Sequence, residues 1–207
     1  MMKTGGDKRM KKKIALLLMT TMITGMVTAC GSNTDHTDRS ADEVQTQTMD
    51  EEGMVHLENA EEVSAFLDEM YTNIPEDMIP SSIMTTELDL QDMETITYHT
   101  GLTDVSQIEG ISLSESMIGS IAYSVMYIRT QEGADVEQIR QNLMDNVNPA
   151  KWICVTAEKQ IAGQFGNDIF FVMAPADTAD LVYQEAVKTA ESRNMKVAEP
   201  LEKTNPI

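Results

Sequence analysis

The chain has 207 residues, enough for one ordinary domain plus extra segments. Its formal charge of −19 is unevenly spread: residues 1–29 hold six basic and one acidic side chain, so residues 30–207 carry 33 acidic against 9 basic, a formal −24. Such a surface repels phosphate backbones and anionic headgroups, which argues against nucleic acid as a partner and against charge as the force holding the domain to a membrane.

The chain opens with a basic stretch ending in Lys11-Lys12-Lys13, followed by a mainly apolar run of 14 residues from Ile14 to Val27. As a helix that run spans about 21 Å, short of the ~30 Å hydrocarbon core, so it reads as the apolar part of a signal peptide over residues 1–29. Val27-Thr28-Ala29-Cys30 resembles the lipobox of bacterial lipoproteins, with an aliphatic residue, two small residues and then cysteine. The resemblance implies cleavage between Ala29 and Cys30 and lipidation of Cys30 through a thioether. Two acyl chains suffice for stable anchoring, at ~0.8 kcal/mol per buried CH₂. The second cysteine, Cys154, then has no partner within the chain, and the core must come from ordinary burial.

From Gly31 to Leu57 seven acidic residues stand against one basic residue, Arg39, with no hydrophobic periodicity. Residues 30–57 are therefore expected to be a lipidated cysteine and a disordered acidic tether. Its two histidines, His36 and His56, read as solvated linker residues.

Asn59 followed by Glu62 has capping-box spacing, and Val63, Phe66, Leu67, Met70 and Tyr71 trace one face of a helix that Pro75 ends. Met84–Leu90 predicts a short strand, Gln91–His99 is ambiguous, and Ile108–Leu113 is a weaker strand. Ile121–Ile128, rich in β-formers, predicts a strong strand. Asp135 with Gln138 caps a helix lined by Val136, Ile139, Leu143 and Val147. Trp152–Glu158 is the next expected strand, with turn chemistry from Ala162 to Asp168. Ile169–Met173 pairs back as a hairpin. Asp177 then caps a last helix bearing Ala179, Val182, Tyr183, Ala186, Val187 and Ala190 on one face.

Residues 58–192 thus read as a single α+β domain: an antiparallel-rich sheet of about four strands, two helices on one face in a β-α-β-β-α core, and an N-terminal helix. Residues 193–207 are expected to be a loose polar tail. Tyr123, Val125 and Tyr127 alternate with Ala122, Met126 and Ile128, and Phe170 with Phe171, so both sheet faces are apolar. The helix starting at Asn59 is the expected cover for the second face, ahead of a partner protein.

Tyr98-His-Thr-Gly101-Leu102, Ser124-Val-Met-Tyr-Ile-Arg129, Gly133-Ala-Asp-Val-Glu-Gln-Ile139 and Gly166-Asn-Asp-Ile-Phe-Phe-Val172, behind a lipobox and an acidic tether, resemble the domain of unknown function 4358 family. The resemblance covers about Val63 to Ser192. It implies a small envelope lipoprotein of Gram-positive bacteria and brings no activity and no functional residues.

Nucleophilic catalysis needs a nucleophile, a base and an orienting group, and His99 is the only histidine beyond the tether. Cys154 reads as a small core residue of a strand, and a Cys154–His99 dyad is the weaker reading. Glu87, Asp89 and Asp92 are oxygen-rich but lack the EF-hand spacing and its glycine. Gly163, Gly166 and Asn167 read as a hairpin turn and not as a phosphate loop. No catalytic residue, metal or cofactor is expected. The expected role is a lipid-anchored, extracytoplasmic, non-catalytic binding or interaction module of the cell envelope. Its partner would be an envelope protein, a peptide or a wall component, met by an exposed sheet face or the Pro75–Gly101 region. A small hydrolase of unrecognised type and a small-molecule-binding lipoprotein stay open as alternatives.

Overall fold

The computed structural model describes residues 56–206; the signal segment, Cys30 and the tether as far as residue 55 lie outside the described residues. Helix α1 (Ala60–Thr72) starts where the capping spacing places it. The Asn59 carboxamide oxygen accepts from the Glu62 N–H at 3.0 Å, and the Glu62 carboxylate accepts from the Glu58 N–H at 2.9 Å. Strand β1 (Ile83–Glu87) follows a 3₁₀ turn at Glu76–Met78. The ambiguous stretch is helix α2 (Met93–Thr100), capped by Asp92 accepting from the Thr95 N–H at 3.1 Å and ended by Gly101 at φ +72°.

Next come β2 (Ile108–Ser116), β3 (Ser124–Thr130) and α3 (Val136–Asn146), the last capped by Asp135 as the spacing predicts. Then follow β4 (Lys159–Phe165), β5 (Asp168–Ala174), α4 (Ala176–Ser192) and β6 (Val197–Thr204). The β4–β5 hairpin closes on Gly166-Asn167 with only Gly166 at positive φ (+62°), the pattern of a two-residue II′ turn.

The fold is α+β with one six-stranded sheet, ordered β1-β2-β3-β5-β4-β6, in which every neighbouring pair is antiparallel. It differs from the expected arrangement in strand count and in where the helices lie. The units β3-α3-β4 and β5-α4-β6 each step over one strand, in the same direction across the sheet, but start from antiparallel strands. Two crossovers of one hand, begun on strands of opposite direction, must place their helices on opposite faces. Accordingly, α4 joins α1 over Tyr123, Val125, Tyr127, Phe170 and Val172, whereas α3 joins α2 over Met126, Ile128, Ile169, Phe171 and Met173. Both faces are thus covered by helices, which corrects the expected exposed sheet face, and α1 packs beside α4 and not alone on the second face.

Two segments change role. Trp152–Glu158 is an irregular loop: Cys154 sits at φ +61°, which breaks an extended run, and the Ala157 N–H bonds back to Pro149 O at 2.8 Å. The strand lies later, in β4, where Gly163 is not a turn residue but a site of close approach. A Cβ on Gly163 would lie 2.6 Å from the Tyr183 ring, at a register shift against β6. The C-terminal stretch read as a loose tail is edge strand β6, whose Pro200 is tolerated because one side of that strand carries no ladder.

The N-terminal boundary also moves. Leu57, read as the end of the tether, is buried, and its N–H donates to Asp168 Oδ2 at 2.8 Å. Asp168 also accepts from the Thr130 N–H at 3.2 Å and from the Tyr127 hydroxyl at 3.1 Å. Burial pushes the Asp168 carboxyl up to about 6 against these donors. Between the ordinary carboxyl value and about 6 the native chain then holds a proton that the unfolded chain has released, so stability falls as pH rises through that window. The expected contribution is about 3 kcal/mol at most. Urea midpoints measured from pH 4 to 6.5 should show Asp168→Asn losing less than the wild type as pH rises. Parallel pH profiles for the two chains would remove Asp168 as the source.

Candidate functional site

The end of the sheet opposite Asp168, on the α2–α3 side, carries a charged cluster built from three elements. Glu115 is the penultimate residue of β2, and the strand alternation that turns Ser112 and Ser114 toward α1 sends Ile111, Leu113 and Glu115 to the other face. His99 stands in the last turn of α2, and Lys151 lies on the loop after α3. The Lys151 ammonium is ion-paired with Glu115 Oε1 and lies 3.3 Å from His99 Nδ1, which is 3.4 Å from Glu115 Oε2. The Lys151 side chain is only 2% exposed, and its ammonium sits 5.3 Å from the Trp152 ring centroid.

Burial raises the Glu115 carboxyl, but the contacts with His99 and Lys151 outweigh it and hold the group at about 2. Burial likewise lowers the Lys151 ammonium below its ordinary range, and the Glu115 carboxylate works against that. The imidazole has two roles available: unprotonated Nδ1 accepts from Lys151, and protonated Nδ1 donates to Glu115. Either way the cluster ties the Pro149–Glu158 loop to α2 and β2. The Tyr98 hydroxyl reinforces this by donating to Lys151 O at 3.2 Å, and the Ile153 N–H by donating to Gly119 O at 2.8 Å.

Around this buried pair stand the five exposed large apolar side chains of the described residues: Met84, Tyr98, Met117, Ile118 and Ile153. Met84 faces Glu115 across the β1–β2 ladder, and Tyr98 adjoins His99. Met117 and Ile118 follow Glu115, and Ile153 follows Lys151 by two residues. Met117 and Ile153 are 65% and 70% exposed, so most of each side chain is offered to solvent. Exposed apolar side chains beside an ion pair whose lysine is enclosed have the composition of a protein-binding hot spot, where each such side chain buried contributes roughly 1.5–3 kcal/mol gross.

The structure distributes the other singled-out residues elsewhere. Cys154 is exposed on the Pro149–Glu158 loop, not a strand core thiol, and His99 turns its Nδ1 to Glu115 and Lys151. Glu87 faces Arg129 at 3.4 Å, Asp89 accepts from the Gln91 N–H at 2.9 Å, and Asp92 caps α2. Cys30 lies outside the described residues. Sequence reasoning passed over Lys151, Glu115 and the apolar ring, although a signal existed. In an acidic chain, residues 116–131 and 146–157 hold no aspartate or glutamate at all.

No protein-family model, curated protein or solved structure matches the chain. The likeness to the domain of unknown function 4358 family therefore rests on the segments quoted above.

Proposed function

We propose that the chain is an exported lipoprotein, anchored through lipid on Cys30 to the outer face of the cell membrane. Its domain serves there as a non-catalytic binding module of the cell envelope. The observation that carries the anchor is the order of the first thirty residues: basic, apolar, then Val27-Thr28-Ala29-Cys30. The apolar ring around Lys151 and Glu115 supports the binding role, and it replaces the open sheet face as the contact surface while keeping part of the Pro75–Gly101 region. Intact-mass spectrometry of the native protein tests the anchor. The expected species begins at Cys30 and carries diacylglycerol; a free thiol at Cys30 or a retained leader would overturn it.

A small hydrolase is the second reading, and the feature in its favour is a buried lysine beside a histidine. That reading requires Lys151 to reach a substrate, yet its ammonium is enclosed and neutralised by Glu115. Among the described residues no helix is long and apolar enough to cross a membrane.

A further inference from the structure

We infer that Leu57 and Glu58, the two residues ahead of Asn59 and α1, form a strap that Asp168 holds against the end of β3 and β5 in acid and lets go toward neutral pH. The strap is tied by side chains alone: among the described residues neither Leu57 nor Glu58 makes a backbone–backbone hydrogen bond. The Leu57 N–H donates to Asp168 Oδ2 at 2.8 Å, the Glu58 carbonyl accepts from Arg129 Nη1 at 3.1 Å, and the Glu58 N–H donates to the Glu62 carboxylate. A segment with no ladder and one buried apolar side chain, Leu57, can open while the six-stranded sheet stays intact. Release vacates the place of Leu57 in the core shared by α1 and α4 and moves the first fixed residue of the domain to Asn59, the cap of α1.

Asp168 makes the strap respond to pH. Its buried carboxyl accepts from the Thr130 N–H on Oδ1, while Oδ2 is shared between the Leu57 N–H and the Tyr127 hydroxyl. The charged groups facing this end are His56 ahead of the strap, Arg129 of β3 with Glu87 and Glu109, and Arg193 after α4 with Glu69. Both arginines face other carboxylates, and Asp168 has no ion-pair partner among the described residues. Burial keeps the Tyr127 hydroxyl protonated. An anion sealed from water without a cation is disfavoured, whereas a neutral carboxyl donates from Oδ2 to the Tyr127 oxygen and still accepts from Leu57. Once the strap leaves, water reaches Asp168 and its charge is no longer disfavoured. Between the ordinary carboxyl value and about 6, the strapped chain thus holds a proton that the released chain gives up. The strap therefore loosens as pH rises through that interval. A protonated His56 attracts the carboxylate and acts in the same direction, so the test separates the two groups.

The test is amide hydrogen exchange of the full chain, corrected at each pH for the intrinsic rate. Leu57 should exchange about a hundredfold faster than Met126 inside β3, and its protection should fall about tenfold from pH 5 to pH 7.5. Asp168→Asn should abolish that dependence, and His56→Gln should keep most of it. Tyr127→Phe removes one donor to the carboxylate and keeps the ring, so it should move the fall to higher pH. Equal protection at Leu57 and Met126 would mean that the segment opens only with the whole domain, which overturns the strap. A fall that survives Asp168→Asn, or that disappears in His56→Gln, overturns the role of Asp168. An unmoved fall in Tyr127→Phe overturns it too, whether or not Asp168→Asn folds.

Discussion

Glu115→Gln is expected to cost about 3 kcal/mol of folding stability, and Lys151→Met only about 1 kcal/mol, although the two substitutions break the same ion pair. The asymmetry follows from where each partner sits. Lys151 is almost fully enclosed, so losing the Glu115 charge leaves an ammonium with His99 Nδ1 and the Trp152 ring and little water. Glu115 retains partial access to solvent and still faces His99, so losing Lys151 leaves a carboxylate that can be hydrated or paired. The double variant should cost about as much as Lys151→Met alone, because the penalty of the stranded ammonium disappears with it. Urea unfolding of the four chains at pH 7 measures this cycle. Equal and additive losses would show that the pair behaves as an exposed one and would remove its role as the fastener of the loop bearing Ile153.

The pH dependence has a definite sign. The Glu115 carboxyl is held at about 2, below its ordinary 4.5, so its contribution is complete above the ordinary value and fades as pH falls toward 2. The gap between the wild type and Glu115→Gln should therefore narrow on acidification below about pH 4.5.

Gly101→Ala is expected to destabilise the domain by about 4 kcal/mol, from two separate costs. At φ +72° an alanine is strained where glycine is not. In addition, its Cβ would lie 2.4 to 2.6 Å from the backbone carbonyl of Asn146 and the nitrogen of Val147, atoms that cannot swing aside as a side-chain tip can. The C-terminus of α2 rests against the C-terminus of α3 at this point. Relief would shift α2, and with it His99 and Tyr98, away from Lys151. Gly133→Ala provides the control, since its φ of +78° imposes the strain and nothing lies within 4 Å of the added carbon. That variant should lose about 1 kcal/mol. Similar losses for the two variants would mean that the α2–α3 contact yields easily.

Much of the fold was readable before any contact was known, because its signals are local. Asn59 with Glu62 and Asp135 with Gln138 satisfy helix-end N–H groups within their own turn, so α1 and α3 begin where those residues stand. The alternation in Ser124–Thr130 and the opposed Phe170 and Phe171 required apolar contact on both faces, and both faces have it. Local signals failed where partners are remote. Strand β6 is half exposed, contains Pro200 and exists as a strand only through its pairing with β4. Trp152-Ile-Cys-Val-Thr156 has strand composition but no partner to pair with, and the Gly119 and Pro149 carbonyls hold it as a loop.

The last helix begins at Ala176 after Pro175, with Asp177 inside it and not capping it. The sequence by itself determined that the domain is α+β, where α1 and α3 start, and many of the core residues. These follow from capping, periodicity and side-chain chemistry over a few neighbouring residues. Only the tertiary structure decided which helix covers which face, since that depends on crossover hand and strand direction together. It alone brought His99, Glu115 and Lys151, up to 52 residues apart, to one end of the sheet inside a ring of exposed apolar side chains. Each of those residues is unremarkable among its neighbours in the chain; the site arises from pairing across distant segments.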